Sequence, residues 1–558
     1  MLGNDNGSFW WGRSGFQESG RDFKLELGGT SHSYILSGEL RNLRGEYVSA
    51  SINIDDKLEL VDYTHESSWE TFYRLQERDT GVKQRTIVLC FDGTSNHFSA
   101  QNTNVVKLME LMQKDDPRQM VYYQTGVGTY SHPSILSGPG LHAAEVLDTG
   151  LAWYLYQHII DGYKFLMQTY QVGDKIAIIG FSRGAFTARA LAGMLHCVGL
   201  LPKHNYEHVP FAYEIYKYSK DYTATPPPVS KPGEVEILPP DGGILFPTTG
   251  SRPQDVSPAE FKRAFCIPVV IDFVGVWDTV ASVGALYSGP ALPWIAYNPS
   301  ILAFRQALAL DEHRAKFIPS LWDHRYTVDR LQTARDVWFR GEHTDVGGGS
   351  RAPVLDKLNP TDPAKANQDM LSNIALRWMI RQCFECKSGI LFDPVAVELF
   401  RKTRVLERLD EQYLRGAPDN QPFNLHYSRM RASAALDEKD IKSHNYQIYD
   451  SIGWSPLWHI LEVLPGPKPT NTLDLGTTWW PNLKKGRAVY GEDRFDSRFT
   501  FGIRIHSSVV QYMKSPQGMG YKPRARLHWS GNKYPLVEDP YESKAYKLPE
   551  AVVERLLG

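Results

Sequence analysis

Two rhythms of apolar and polar residues divide the chain. Up to about residue 84, short segments such as FKLEL, YILSGEL and YVSASINI alternate apolar with polar positions and are separated by Gly, Asn and Asp. A period of two bounded by turn formers predicts short strands, so residues 1–84 read as a small β module. From Thr86 the pattern changes: TIVLCF is a continuous apolar run ended by DGTSN, and TNVVKLMELMQ carries its apolar residues at helical spacing. The alternation recurs in EVLDTGLAWYLYQHIIDGYKFLMQTY (helix), KIAIIG (strand), AFTARALAGMLHCVGLL (helix), IPVVIDFVGV (strand) and RDVWF (strand). Strands that are apolar on both faces, interleaved with amphipathic helices, predict an α/β unit over residues 85–390: a mostly parallel sheet covered by helices on both faces.

Two stretches interrupt that rhythm. Residues 221–258, beginning DYTATPPPVSKPGEVEILPPDGG, are too rich in proline for a helix or sheet interior and read as a long surface excursion. The second, TVASVGALYSGPALPWIAYNPSILAF from Thr279, carries no charge, and its prolines and glycine forbid a spanning helix. It reads either as an apolar lid or substrate-facing loop, or as a buried connection packed on the core. Residues 391–558 open with a helical pattern, VAVELFRKTRVLERL, and continue as an aromatic, loop-rich extension expected to pack on the α/β unit.

At 558 residues with 42% hydrophobic residues, the chain can build a large core and more than one structural unit. Its 61 basic residues nearly balance 63 acidic ones, so no global field draws it to nucleic acid or to an anionic membrane. The five cysteines are scattered and odd in number, against a disulfide framework and in favour of a reducing compartment. Cys383 and Cys386 have no second pair to complete a zinc site, and no metal or other cofactor is called for. MLGNDNGSFWWGRSG lacks a signal peptide's basic and apolar regions, and no apolar run reaches ~18 residues. A soluble, cytoplasmic protein is expected.

The chemistry concentrates around KIAIIGFSRGAFTAR, where an apolar strand runs through Gly180-Phe181-Ser182-Arg183-Gly184 straight into helix-forming residues. Glycines two before and two after a serine let strand and helix approach closely while the serine adopts an unfavourable backbone conformation, its hydroxyl presented at the sheet edge. A serine hydroxyl is a poor nucleophile near neutral pH; it needs a base, a group to orient that base, and donors for an oxyanion. In an open α/β sheet these partners belong after later strands, at their carboxyl ends. VVIDFVGVWDTV puts Asp278 there, with Asp272 inside the strand as the less favoured acid. DVWFRGEHTDVGGG puts His343 directly after a strand, with Gly347 to Gly349 letting its loop crowd the serine. His506 in IRIHSSVV is the rival base, and Asp345 the rival orienting acid. Arg183 would give one oxyanion donor through its backbone N–H, and Gly93 or Thr94 in IVLCFDGTSN a second. Asp92 in that segment also suggests a phosphatase whose first strand ends Asp-Gly-Thr, but that chemistry needs an aspartate two residues earlier, where Cys90 stands.

The order Ser182, Asp278, His343 is that of α/β-hydrolases. From about Arg85 to Met379, the blocks FDGTSN, TNVVKL, YYQTGVGT, GFSRGAFTAR, GVWDTV, ALALDEHRAKFIP and WFRGEHTDVGGG resemble, in order, the α/β-hydrolase family typified by bacterial type VI secretion phospholipase effectors, a domain shared by many fungal proteins. The resemblance implies a Ser182, Asp278, His343 triad and hydrolysis of lipid carboxyl esters, with phospholipids as the characterised substrates. The aromatic C-terminal part, including GWSPLWHILEVLP and VVQYM, is similar to extensions in fungal members. FWWGRSGFQESGRDFKLEL and LSGELRNLRGEYVSASINIDDKL resemble a cyanovirin-N homology repeat, from a family of small β lectins, of which about one repeat's length is present. Two functional classes follow. One is a serine hydrolase acting on a lipid or similar ester, with transient contact to a membrane surface. The other is a non-catalytic binding or scaffold protein that keeps the hydrolase fold and recognises glycans through residues 1–84.

Overall fold

In the computed structural model, the described residues are chiefly 84–93, 102–126, 141–219, 256–280, 292–349 and 370–406, the last two with short breaks, and 504–530. Strands elsewhere in residues 2–77, 466–492 and 536–547 are described as well. The chain divides into a unit built on residues 1–85 and a larger one built on residues 86–223 and 252–558.

The smaller unit is antiparallel throughout its described strands. β1 (Leu2–Asp5) pairs with β2 (Ser8–Trp11), β3 (Gly20–Leu27) with β4 (Tyr34–Arg41), β4 with β5 (Tyr47–Asn53), and β6 (Leu58–Thr64) with β7 (Thr71–Glu77). The β4–β5 turn closes because Asn42 Oδ1 accepts the N–H groups of Arg44 and Glu46, each at 2.9 Å, while Gly45 takes φ +81°. Leu40 and Phe9 are buried in this module, and Phe9 meets Phe23 ring to ring at 6.2 Å.

The larger unit is built on a nine-stranded sheet. Its strands are β8 (Thr86–Phe91), β9 (Gln119–Gln124), β10 (Lys175–Phe181), β11 (Ile271–Trp277), β12 (Ile301–Ala309), β13 (Thr333–Phe339), β17 (Arg504–His506), β19 (Leu536–Asp539) and β20 (Lys544–Lys547), ordered β20-β19-β17-β13-β12-β11-β10-β8-β9. Every neighbouring pair is parallel except β19 with β20. Two further pairs of short strands are described in this unit: β14 (Gly466–Pro469) with β15 (Leu475–Trp480), antiparallel, and β16 (Ala488–Glu492) with β18 (Arg526–Ser530), parallel. The helices are α1 (Asn104–Leu111), α2 (Leu141–Thr169), α3 (Arg183–Val198), α4 (Val209–Tyr218), α5 (Pro258–Phe265), α6 (His343–Gly347), α7 (Leu371–Glu385), α8 (Pro394–Lys402) and α9 (Ser507–Lys514).

The strands are apolar on both faces because both faces are covered. Ile87, Leu89 and Phe91 of β8 and Ile176 and Ile178 of β10 pack with α2, α3 and α4 in one layer. The residues between them, Val88, Cys90, Ala177, Ile179 and Phe181, pack with α1 and α7 in the other. Alternation thus assigns each side chain to a layer without any polar stripe. Beyond β8 the chain builds outward to β9, then returns to place β10 on β8's other flank and continues through β11, β12 and β13. The sheet therefore has its switch point between β8 and β10, the crevice where such folds bind ligands.

The uncharged stretch after Asp278 is a packed connection over residues 292–300. Leu292 is buried, Trp294 meets the His196 ring at 4.4 Å, and Tyr216 Oη donates to Pro293 O at 3.0 Å. Residues 281–291 and the surface excursion up to residue 255 lie outside the described residues. Ser257, near the excursion's expected end, caps α5.

Candidate active site

Ser182 stands between β10 and α3 with φ 59° and ψ −126°, a left-handed conformation that costs a non-glycine residue about 1–3 kcal/mol. The surroundings impose it. A Cβ on Gly180 would lie 2.7 Å from Ala185 Cα and from Gly184 O, and one on Gly184 would run into the carbonyl oxygens of Phe91 and Asp92. Helix, strand and the end of β8 are too close for any side chain at either position. The serine's own backbone is tied across the crevice, with its N–H given to Trp277 O at 3.0 Å.

The partners come from the ends of the next strands. Asp278 follows β11 directly, also at a left-handed φ of 42°. His343 opens α6, just after β13. His343 Nε2 lies 2.7 Å from Ser182 Oγ, and Nδ1 lies 2.6 Å from Asp278 Oδ2. All three residues are buried, Ser182 at 7% exposure being the most open. Burial alone would raise the Asp278 pKa, but the Arg487 guanidinium and His343 beside it reverse that and hold it well below the usual carboxylate range. An ionised carboxylate only accepts, so Nδ1 carries the proton and Nε2 is left to accept from the serine hydroxyl. Burial pushes the His343 pKa below the ordinary imidazole value, against the opposing pull of Asp278. A neutral imidazole between a hydroxyl and a carboxylate can take the hydroxyl proton as an oxygen–carbon bond forms.

The imidazole is held from several directions. Phe181 and Phe317 lie against its ring at 4.6 and 4.8 Å. Gly347 packs on the Phe181 ring with no room for a Cβ, and Gly348, at φ +81°, bridges to Thr103. The loop after β12 fixes the histidine's backbone. Glu312 Oε2 accepts the His343 N–H at 3.3 Å, while Asp311 Oδ2 accepts the Gly341 N–H at 2.7 Å. Glu312 is itself gripped by Arg314, Nε to Oε1 at 2.9 Å and Nη2 to Oε2 at 2.7 Å. Burial would raise the Glu312 pKa; the Arg314 charge overrides that and lowers it. Asp311, Glu312 and Arg314 had no role in the sequence reading, although a run of charges directly after an apolar strand was the available signal. Arg189 of α3 is a second omission. Fully buried, it donates to Ile295 O, Ser320 O and Leu321 O at 2.6 to 2.9 Å, clamping two connections to the helix behind Ser182.

The remaining candidates sit elsewhere. Asp345 is the partner in a capping box at the start of α6, its Oδ2 accepting the Glu342 N–H at 2.9 Å, so it caps the helix rather than orienting His343. His506 caps α9, with Nδ1 2.8 Å from Ser508 Oγ and its ring stacked on Phe339, which occupies it away from Ser182. Asp272 is the second residue of β11, roughly 20 Å along the strand from Asp278. It accepts the Ile176 N–H at 2.9 Å, and burial raises its pKa to about 6. Asp92 is buried at the end of β8, where its carboxylate takes the Gly93 N–H at 2.7 Å and the hydroxyls of Thr103 and Tyr123, each at 2.9 Å. The Gly93 N–H expected for an oxyanion is thus already committed to Asp92. Thr94 lies outside the described residues, and Arg183 opens α3 immediately after Ser182. Among the described residues no cluster of His, Cys, Asp or Glu is arranged to hold a metal, and no helix is long and apolar enough to cross a membrane.

A mostly parallel sheet covered on both faces, with a serine on a strand-to-helix elbow at its switch point, defines the α/β-hydrolase class. Residues 85–382 match the family described as "T6SS, Phospholipase effector Tle1-like, catalytic domain", more than half of the chain, and the protein belongs to that family. Residues 1–62 match the CVNH domain. Over 242 residues the chain is 36% identical to the uncharacterized protein YEL023C of Saccharomyces cerevisiae, covering 42% of this chain and 32% of that protein. The match therefore spans about a third of that relative's length. A crystal structure of an uncharacterized protein from Pseudomonas aeruginosa aligns at 16% identity and a TM-score of 0.29, over 72% of this chain and 65% of the other. The Tle1 effector bound to the VgrG spike of the Type 6 secretion system aligns at 14% identity and a TM-score of 0.29, over 76% and 97%.

Proposed function

We propose that the protein is a serine hydrolase that cleaves carboxyl esters of lipids, phospholipids in particular, through an acyl-enzyme. His343 Nε2 takes the proton of Ser182 Oγ as that oxygen attacks the ester carbonyl, and the imidazolium returns it to the departing alcohol. Water, deprotonated by the same imidazole, then releases the fatty acid and restores the serine. Asp278 keeps the proton on Nδ1 and stabilises the imidazolium. The developing oxyanion is met by the Arg183 backbone N–H, helped by the N-terminal dipole of α3. The observation that carries the reading is the hydrogen-bonded series Ser182, His343, Asp278 with its serine on a strained elbow. Family membership points the substrate towards lipids.

The test compares purified wild type with Ser182→Ala on phospholipid vesicles and on p-nitrophenyl acyl esters. Wild-type turnover with loss in the variant is expected; equal rates would exclude the mechanism. The CVNH match favours a second activity, glycan recognition by residues 1–62, which a glycan array with the full chain checks through binding that survives Ser182→Ala.

A further inference from the structure

The Asp278 carboxylate receives more than an imidazole needs. Arg487 donates from Nη1 to Oδ1 at 2.6 Å and from Nη2 to Oδ2 at 2.8 Å, a two-pronged grip on the group that orients His343. The Ala309 N–H adds a third bond to Oδ1 at 3.0 Å. The guanidinium is fixed in turn by Phe317 O, 3.0 Å from Nε and 2.7 Å from Nη2, and by Ala309 O at 3.1 Å from Nη1. Asp278 is fully buried and Arg487 is 7% exposed, so water does not replace either partner. Arg487 lies beyond the family match, which ends at residue 382. It reaches the site because β16, which it directly precedes, pairs with β18, and Ala525, directly before β18, gives its N–H to Leu310 O at 2.8 Å.

We propose that Arg487 is a positioning residue for the Ser182 reaction, acting through Asp278: its guanidinium fixes the rotation of the carboxylate and shares its charge, so that His343 is held in line and unprotonated. The inference rests on the hydrolase reading above. Oδ2 is shared between Arg487 and His343, so the carboxylate cannot turn away from the imidazole without breaking the fork. The other charged groups near the couple are Glu312, through the His343 backbone, and Arg314, whose guanidinium lies 3.5 Å from the centre of the Phe317 ring. They pair with each other, and Arg487 is the cation in contact with Asp278 among the described residues. The direction of the Asp278 shift agrees, since the Arg487 charge is the foremost influence opposing burial.

The test follows the rate at which a fluorophosphonate labels Ser182 in the full chain as pH is varied. The serine oxygen bonds to phosphorus, fluoride leaves, and the hydroxyl proton passes to His343. Arg487→Met leaves the whole carboxylate charge facing the imidazole, so the couple binds a proton more tightly. Its acid limb is expected to move up by about one pH unit, and its plateau to fall about 10-fold as the carboxylate gains freedom. Arg487→Lys keeps a charge without the fork, so a limb near the wild-type position with a lowered plateau is expected. In an Asp278→Asn background, Arg487→Met should add no further loss. A folded Arg487→Met protein with the wild-type limb and plateau would overturn the inference, as would a full additional loss in the Asp278→Asn background. Should Arg487→Met not fold, a wild-type plateau in Arg487→Lys overturns it. Absence of labelling in wild type itself sinks the hydrolase reading and this inference together, whereas labelling that is indifferent to Arg487 sinks this inference alone.

Discussion

Ser182 is held on one side by shape and on the other by charge. On the elbow side, a few consecutive residues do the work: Gly180 and Gly184 leave no space for side chains, and the backbone at Ser182 is forced to φ 59°. On the base side, the partners come from the ends of β11, β12 and β13 and from Arg487, and polar contacts between Asp278, Glu312, Arg314 and Arg487 join them. The first side is rigid because atoms cannot overlap. The second is rigid only while each buried charge keeps its partner. The two sides should therefore fail differently when perturbed.

The largest expected effect lies where they meet: Ser182→Ala should lower ester turnover by about 1,000-fold or more with little change in melting temperature. Next is the polar side. Glu312→Gln leaves Arg314 buried without its counter-charge, and a loss of about 3 kcal/mol in denaturant unfolding is expected, with slower labelling of Ser182 as the His343 loop loosens. Because the folded pKa values of Glu312 and Asp278 are depressed, the stability these groups contribute is present above the ordinary carboxylate range and lost as pH falls through their folded values. Acid unfolding of Glu312→Gln should accordingly be shallower than that of wild type. On the elbow side, Gly184→Ala should cost about 2 kcal/mol through overpacking, with a loss independent of pH; a pH-dependent loss there would break the distinction. The smallest effect belongs to Asp345→Ala, about 1 kcal/mol for a lost cap, with ester turnover nearly retained. A collapse of turnover in that variant would reinstate Asp345 as the group orienting His343.

The same contrast explains what the sequence disclosed. The elbow was legible because its constraint is local: an apolar strand, two glycines flanking a serine and an immediate helix lie within fifteen residues, KIAIIGFSRGAFTAR. Asp278 and His343 were legible as positions, since each directly follows a buried-type strand of a parallel sheet. The supports were not. Nothing in RAVYGE marks Arg487 as a partner of a residue two hundred positions earlier, because a buried ion pair leaves no periodicity. Asp345 and His506 resembled functional groups because a capping side chain and a catalytic one both occur just after a strand; only the atoms they bond distinguish them. The same blindness covered Gly93, whose N–H is taken by the neighbouring carboxylate. In the fold, the long α/β rhythm gave the layers, whereas β17, β19 and β20 are three or four residues each, too short for their pattern to stand out from loop.

The central claim is that Ser182 Oγ becomes covalently acylated by a lipid ester. Acid quenching of the full chain during turnover of a phospholipid, followed by mass analysis of its peptides, tests this directly. The account predicts one fatty-acyl mass increment on the peptide containing Ser182, strongly reduced in His343→Ala and absent from Ser182→Ala. Turnover without any acylated peptide, or with the acyl group on another residue, would contradict it.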